Sequence, residues 1–161
     1  MVRLVADYQF GHIGALLFPD RCRVGVSPSS GRPRSVWLDG KLIASVKLDD
    51  GLITLTLDGG RILASIVPPP KYRVAVSYEA AYLVAKGRSV FSKHLIRWDG
   101  GIIPGQEVLV EDPSGRLIAV GKAVLSGDDM GRVGRGVAVK VRSSVGRNSS
   151  FKQINNEVGR S

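Results

Sequence analysis

Residues 71–142 pack five apolar runs of strand character and one helical run into about 70 positions, and that density restricts the fold more than any other feature of the chain. The runs are 73–76, 90–98, 107–111, 117–125 and 136–141, rich in Val and Ile and in places alternating apolar with polar residues. Between the first two, residues 78–86 are Ala-rich, with Tyr78, Ala81, Tyr82 and Ala85 at helical spacing. Gly87 follows where a helix C-cap takes a residue at positive φ. Ile103-Pro104-Gly105 and Asp112-Pro113-Ser114-Gly115 are turns by their Pro and Gly content. Many short strands with one early helix predict a small, partly closed β-barrel.

The first 67 residues read differently. A helix is expected over 4–18, weakened by Gly11 and Gly14; a helix that tolerates two glycines tends to lie against another backbone. Strands follow at 23–26, 35–38, 42–47 and 52–57. The second and third form a hairpin joined at Asp39-Gly40, a strong two-residue turn signal. Pro33 cannot donate to a ladder and suggests an edge position. Asp58 is placed to N-cap a short helix over 59–66. The sum is an α+β layer with helices on one face of an antiparallel sheet. Pro68-Pro69-Pro70 separates it from the barrel as a stiff linker, and 143–161, dominated by Ser, Asn and Gly, reads as a polar, mobile tail.

Charge narrows the function. The net charge is +9 and the isoelectric point about 10.1, which points to a polyanionic partner, usually nucleic acid. Between Lys71 and Gly101 six basic residues stand against two acidic ones. No apolar run approaches the roughly 20 residues of a membrane helix, and Asp7, Gln9 and His12 interrupt any leader-like core, so cytoplasm is the expected compartment. Cys22 is alone, and His12 and His94 are far apart, so neither a disulfide nor a metal site is expected, and no cofactor. Asp49-Asp50 and Asp128-Asp129 sit beside glycines and read as turns. Gly131–Gly136 lacks the helix and Lys-Ser/Thr pair of a phosphate loop and reads as a loop before the last strand. No active site is legible.

Two resemblances extend this. IIPGQEVLVED, LIAVGKAVLSGDDM and RGVAVKVR, in that order, resemble the PUA domain of RNA-modifying enzymes. ADYQFG at 6–11, SGRPRSVWLDGKLIASVKLDDGLITLTLDGG at 30–60 and GRSVFSK at 87–93 resemble archaeosine tRNA-guanine transglycosylase, in the region after its catalytic barrel, where a small α+β domain precedes a PUA domain. The chain departs from that pattern at His12, Ile13 and Leu16, where the family places small and polar residues, and at Pro33, where it has an apolar one. The family's catalytic aspartates and its zinc site have no counterpart among these residues.

The resemblance implies a tRNA-binding, non-catalytic protein that grips the acceptor stem and 3′ end and serves a catalytic transglycosylase subunit. It carries an RNA surface onto Gly87, Arg88, Ser89, Lys93, Lys140 and Arg142. Gly87 would let backbone N–H groups approach a phosphate, Arg88 would neutralise phosphate, and Ser89 would bond ribose or phosphate oxygen. Phe91, alternating with Val90 and Ser92, is expected in the core; stacking on a base is its other reading. Two other functions fit the same residues: an RNA-binding accessory of another modification or ribosome-assembly enzyme, and a protein-interaction subunit with a basic surface.

Overall fold

The structure, a computed structural model, describes residues 1–146. Two compact units divide the chain between Pro68 and Pro69. In the first, α1 (Val2–Phe10) and α2 (Gly14–Leu17) precede an antiparallel sheet of β1 (Arg23–Val26), β2 (Pro33–Leu38), β3 (Lys41–Val46) and β4 (Ile53–Leu55), paired in chain order, and α3 (Leu57–Ile66) follows. Ala6, Phe10, Leu17, Leu57 and Leu63 of the helices are buried together with Val36, Ile43, Ala44, Ile53 and Leu55 of the sheet. This is the expected α+β layer.

The ADYQFG stretch is where the helices are pinned. The single helix expected over 4–18 is two, because Gly11 takes a φ of 76° and stops α1. Asp7 then accepts the N–H of Gly14, and a Cβ on Gly14 would collide with the carbonyl of Arg3, so α2 folds back directly onto α1. Gln9 Nε2 donates to the Ile53 carbonyl at 3.0 Å while the Ile53 N–H donates to Gln9 Oε1 at 2.6 Å. One side chain thus supplies both hydrogen bonds that a further strand would give the edge of β4.

The Asp39-Gly40 turn has φ of 52° and 80°, the two positive values of a type I′ hairpin. Pro33 is not on an edge: β2 lies between β1 and β3, and the proline is its first residue, opposite Val26, where a bulge relieves the missing N–H. Nor does Asp58 cap α3. Thr56 does, accepting the Gly59 N–H at 3.2 Å and donating to the Leu42 carbonyl at 2.7 Å, while Asp58 pairs with Arg61 at 2.9 Å inside the first turn.

In the second unit, β5 (Arg73–Val76), α4 (Tyr78–Ala85), β6 (Val90–Phe91), β7 (Leu95–Trp98), β8 (Glu107–Glu111), β9 (Leu117–Ala123), α5 (Gly127–Arg132) and β10 (Val137–Ser144) build a nearly closed barrel, the expected class. Its sheet order is β6-β10-β9-β8-β5-β7, with β5 and β8 parallel and the other pairs antiparallel. The run expected as one strand over 90–98 is broken by a single 3-10 turn, Ser92–His94. That turn carries the chain from one edge of the sheet to the other, so the two edge strands are covalently continuous. Val74, Val76, Val90, Val108, Val110 and Val139 fill the interior, and Ala80 and Val84 of α4 close one end. Asp128 and Asp129, expected in a turn, lie in the first turn of α5, capped by Ser126 and favoured there by the helix dipole. Gly131 and Arg132 end that helix, so the loop expected over 131–136 is confined to 133–136. β10 continues through Ser144; the rest of the expected tail, from residue 147, lies outside the described residues.

Replacing Gln9 by Ala leaves the N–H and C=O of buried Ile53 without partners and is expected to cost about 1–3 kcal/mol in urea unfolding. Gln9→Glu, which keeps only the acceptor, should fall between the two.

Candidate nucleic-acid interface

Helix α4 starts at Ser77, whose hydroxyl accepts the Ala80 N–H at 3.4 Å, and closes on a Schellman turn. The Gly87 N–H bonds the Val84 carbonyl at 2.9 Å and the Arg88 N–H bonds the Leu83 carbonyl at 3.2 Å, with Gly87 at φ 101°. A larger residue would be strained there, so the glycine sets the direction in which the chain leaves the helix. The same bonds correct its expected role. Both N–H groups are occupied by helix carbonyls and cannot face a phosphate; what Gly87 contributes is the placement of Arg88.

Arg88 and Ser89 lead into β6 and, with Phe91, Lys93 and His94, line a groove of about 350 Å³ against Ala80, Leu83 and Val84 of α4. Three of the anticipated residues, Arg88, Ser89 and Lys93, therefore share one groove. Phe91 belongs to it as well, which corrects its expected place in the core. It is 44% exposed, while Val90 and Ser92 are buried. Val90 takes the inward position by pairing with Val139, so Phe91 must point outward before the 3-10 turn begins. Beside the groove Tyr82 is 65% exposed, with Lys86 Nζ 4.2 Å from its ring centroid. A hydrogen bond from Lys86, and then its charge, lower the Tyr82 phenol from its ordinary value. Spacing of i, i+4 on α4 makes this pair readable from sequence; His94 and Phe91 depended on the strand break and were not.

Lys140 and Arg142 lie on β10, past the point where its ladder with β6 ends at Val90–Val139. Lys140 stands opposite Lys122 of β9. The row continues to Glu107 of β8, opposite Lys122, so one carboxylate stands in register with the two lysines. Arg142 is engaged: its Nη2 lies 2.7 Å from Oε2 of Glu107, whose side chain is 7% exposed against 35% for the arginine. Among the described residues, Arg88, Lys93, Lys122 and Lys140 have no carboxylate partner.

Among the described residues no three His, Cys, Asp or Glu side chains lie close enough to hold a metal ion. Asp49 and Asp50 both pair with Lys47, at 3.8 and 3.3 Å. Burial pushes the Cys22 thiol up more than Arg21 and Arg3 lower it, which disfavours the reactive thiolate. No helix among the described residues is long and apolar enough to cross a membrane.

Comparison with known families agrees with this division. Residues 1–70 match the family model described as the patch-forming domain C2 of tRNA-guanine transglycosylase, and residues 72–145 match the PUA domain model. The chain joins a transglycosylase C2 domain to a PUA domain. It is 43% identical over 153 residues to the tRNA-guanine(15) transglycosylase of Thermoplasma acidophilum, covering 94% of this chain and 24% of that protein. The Thermococcus kodakarensis enzyme of the same name is 37% identical over 144 residues, covering 89% and 25%. The chain thus spans about a quarter of the length of these relatives. By fold it resembles a hypothetical protein of Pyrococcus horikoshii, with TM-score 0.73, 24% identity and 94% and 92% of the two chains covered. A PUA domain protein of Thermoplasma acidophilum gives TM-score 0.63 at 17% identity, with 95% and 96% covered.

Within the PUA domain the anticipated arginines separate by a stability measurement. Arg142→Ala removes the 2.7 Å partner of the nearly buried Glu107 carboxylate and is expected to cost roughly 1–3 kcal/mol, less than a fully buried pair because Arg142 is a third exposed. Arg88→Ala should leave the unfolding midpoint within about 0.5 kcal/mol of wild type.

Proposed function

We propose that this C2–PUA chain binds tRNA without itself catalysing a reaction on it, and that it provides the RNA grip for a catalytic transglycosylase subunit. The observation that carries this reading is the groove of the PUA domain. It joins two uncompensated cations, Arg88 and Lys93, to an outward-facing ring, Phe91, and a free-standing hydroxyl side chain, Ser89. Cations without carboxylate partners attract phosphate, and the ring offers a stacking face to an unpaired base. An RNA end satisfies both demands, and in tRNA the unpaired end is the 3′ terminus beyond the acceptor stem. Lys140 and Lys122 extend the basic surface for the stem that leads to it. The names of the two relatives above supply the RNA and the enzyme: both are tRNA-guanine(15) transglycosylases, and this chain corresponds to about a quarter of their length. On the C2 domain, exposed Leu4 and Tyr8 of α1 and Leu16 of α2 offer an apolar contact for the catalytic subunit.

Binding of this kind draws on counterion release, so affinity for tRNA should fall steeply with salt. Titration with whole tRNA and with tRNA lacking its 3′ end, at several salt concentrations, tests the proposal. Weaker binding of the truncated RNA supports a grip on the acceptor end; equal binding reduces the claim to general basic attraction. Arg88→Ala and Lys93→Ala should each weaken binding and lower the salt slope by about one. Absence of RNA binding, with stable capture of a protein, would replace the proposal by the protein-interaction reading.

A further inference from the structure

We infer that the open face of the C2 sheet, centred on Trp37, is a second RNA contact: a stacking site for an unpaired base, with Arg23 neutralising its phosphate. The inference rests on the reading that the chain binds RNA, and it adds a site in the other domain.

The alternation of β2 puts Val36 into the core and leaves Ser35 and Trp37 on the opposite face, where Trp37 is 41% exposed. In register across the four strands, Gly25, Ser35, Ser45 and Thr54 form one row of that face. A glycine, two serines and a threonine make a low, polar shelf beside a large ring. The indole N–H donates to Ser35 Oγ at 3.0 Å, so its one polar group is satisfied within the strand and its orientation is held. Gly25 protects that bond, because a Cβ there would collide with the Ser35 hydroxyl. Part of the ring is left to solvent, at 41% exposure.

The charge around it selects the occupant. Arg3, Arg21, Lys47 and Arg61 of this domain pair with carboxylates. Among its described residues Arg23, Arg32, Arg34 and Lys41 do not, and all four lie between β1 and the start of β3. Arg23 is the residue directly opposite Trp37 across the β1–β2 ladder. Across the ladders Trp37 faces Arg23 of β1 and Leu42 of β3, and the row beside it is Gly25, Ser35, Ser45 and Thr54; one apolar neighbour is far from the continuous apolar patch that a protein partner favours. Aromatic stacking beside an uncompensated arginine is the chemistry of a single-stranded nucleotide.

The chain has two tryptophans, which makes the site readable by fluorescence. The other, Trp98, is half-buried and donates its N–H to the Gly127 carbonyl at 2.9 Å. Titration with a single-stranded RNA of about ten nucleotides should quench wild-type emission. Trp37→Phe should abolish the quenching while keeping affinity within about twofold, and Trp37→Ala should weaken binding by about 5- to 100-fold with an unchanged circular dichroism spectrum. Arg23→Ala should weaken it less and lower the salt slope by about one. Wild-type RNA binding that neither quenches Trp37 nor responds to Trp37→Ala overturns this site and leaves the PUA grip standing. Failure of the wild type to bind whole tRNA as well overturns both. Capture of a protein that Trp37→Ala releases, with RNA affinity unchanged, assigns the face to a protein and also overturns the inference.

Discussion

Every open sheet has two edges whose N–H and C=O groups must be paired, covered or left to water, and both domains are arranged around that constraint. The C2 domain covers one edge with a single side chain. Gln9 bonds Ile53 in both directions, which ties α1 to β4 and, through Asp7 and Gly14, brings α2 with it. Its other edge, β1, carries Arg23, Val24 and Val26 to solvent and is bulged at Gly25/Val26, which discourages a further strand. The PUA domain solves the problem by continuity: its edge strands β6 and β7 are consecutive pieces of chain joined by the Ser92–His94 turn. The turn that closes the barrel also throws Phe91 and Lys93 outward into the groove.

Much of this was legible before any coordinates. Asp39-Gly40 encodes its turn because only that turn accepts two positive φ values in sequence. The strand bounds 73–76 and 107–111 are matched because β-branched runs end at turn residues on both sides. Where the reading failed, a tertiary contact decided the outcome. Periodicity cannot tell that Gly14 will be pressed onto the Arg3 carbonyl, so it runs α1 and α2 together. Thr56 outcompetes Asp58 as a cap because its hydroxyl also reaches Leu42 on β3, a partner 14 residues away. Phe91 points outward because Val90 is claimed by Val139 of a strand nearly fifty residues later. The family resemblance names Arg88, Ser89 and Lys93, which line one groove. It could not show that Arg142 is paired or that the Gly87 amide is occupied.

Net charge is a blunt guide to where an anion binds, and the C2 domain shows why. Its first 70 residues carry eight basic and six acidic side chains, a small excess. Four of the cations are held by carboxylates, Lys47 and Arg61 by ones three residues away and Arg3 and Arg21 by Asp20 and Asp39, and such exposed pairs contribute little to stability. They do cancel the field locally, so the excess is concentrated on Arg23, Arg32, Arg34 and Lys41. In the PUA domain the same sorting removes Arg73 and Arg142, both paired with glutamates, and leaves ten cations of residues 71–142 without an ion pair among the described residues, Arg88, Lys93, Lys122 and Lys140 among them. Potential at a surface follows the uncompensated charges rather than the total.

Both domains then show the same local chemistry, an exposed ring beside a cation that no carboxylate neutralises: Trp37 with Arg23, and Phe91 with Arg88 and Lys93. If both sites bind RNA as proposed, they act on a common RNA as a linked pair, because engagement of the first raises the effective concentration at the second. Removing one ring from a linked pair therefore reduces affinity by a factor and leaves binding in place. Removing a paired arginine such as Arg142 instead acts through the fold, since the nearly buried Glu107 carboxylate loses a 2.7 Å ion pair that joins β8 to β10. The two kinds of loss have different signatures. The first changes the response to salt and to unpaired bases at constant unfolding free energy; the second lowers that free energy first and affinity with it.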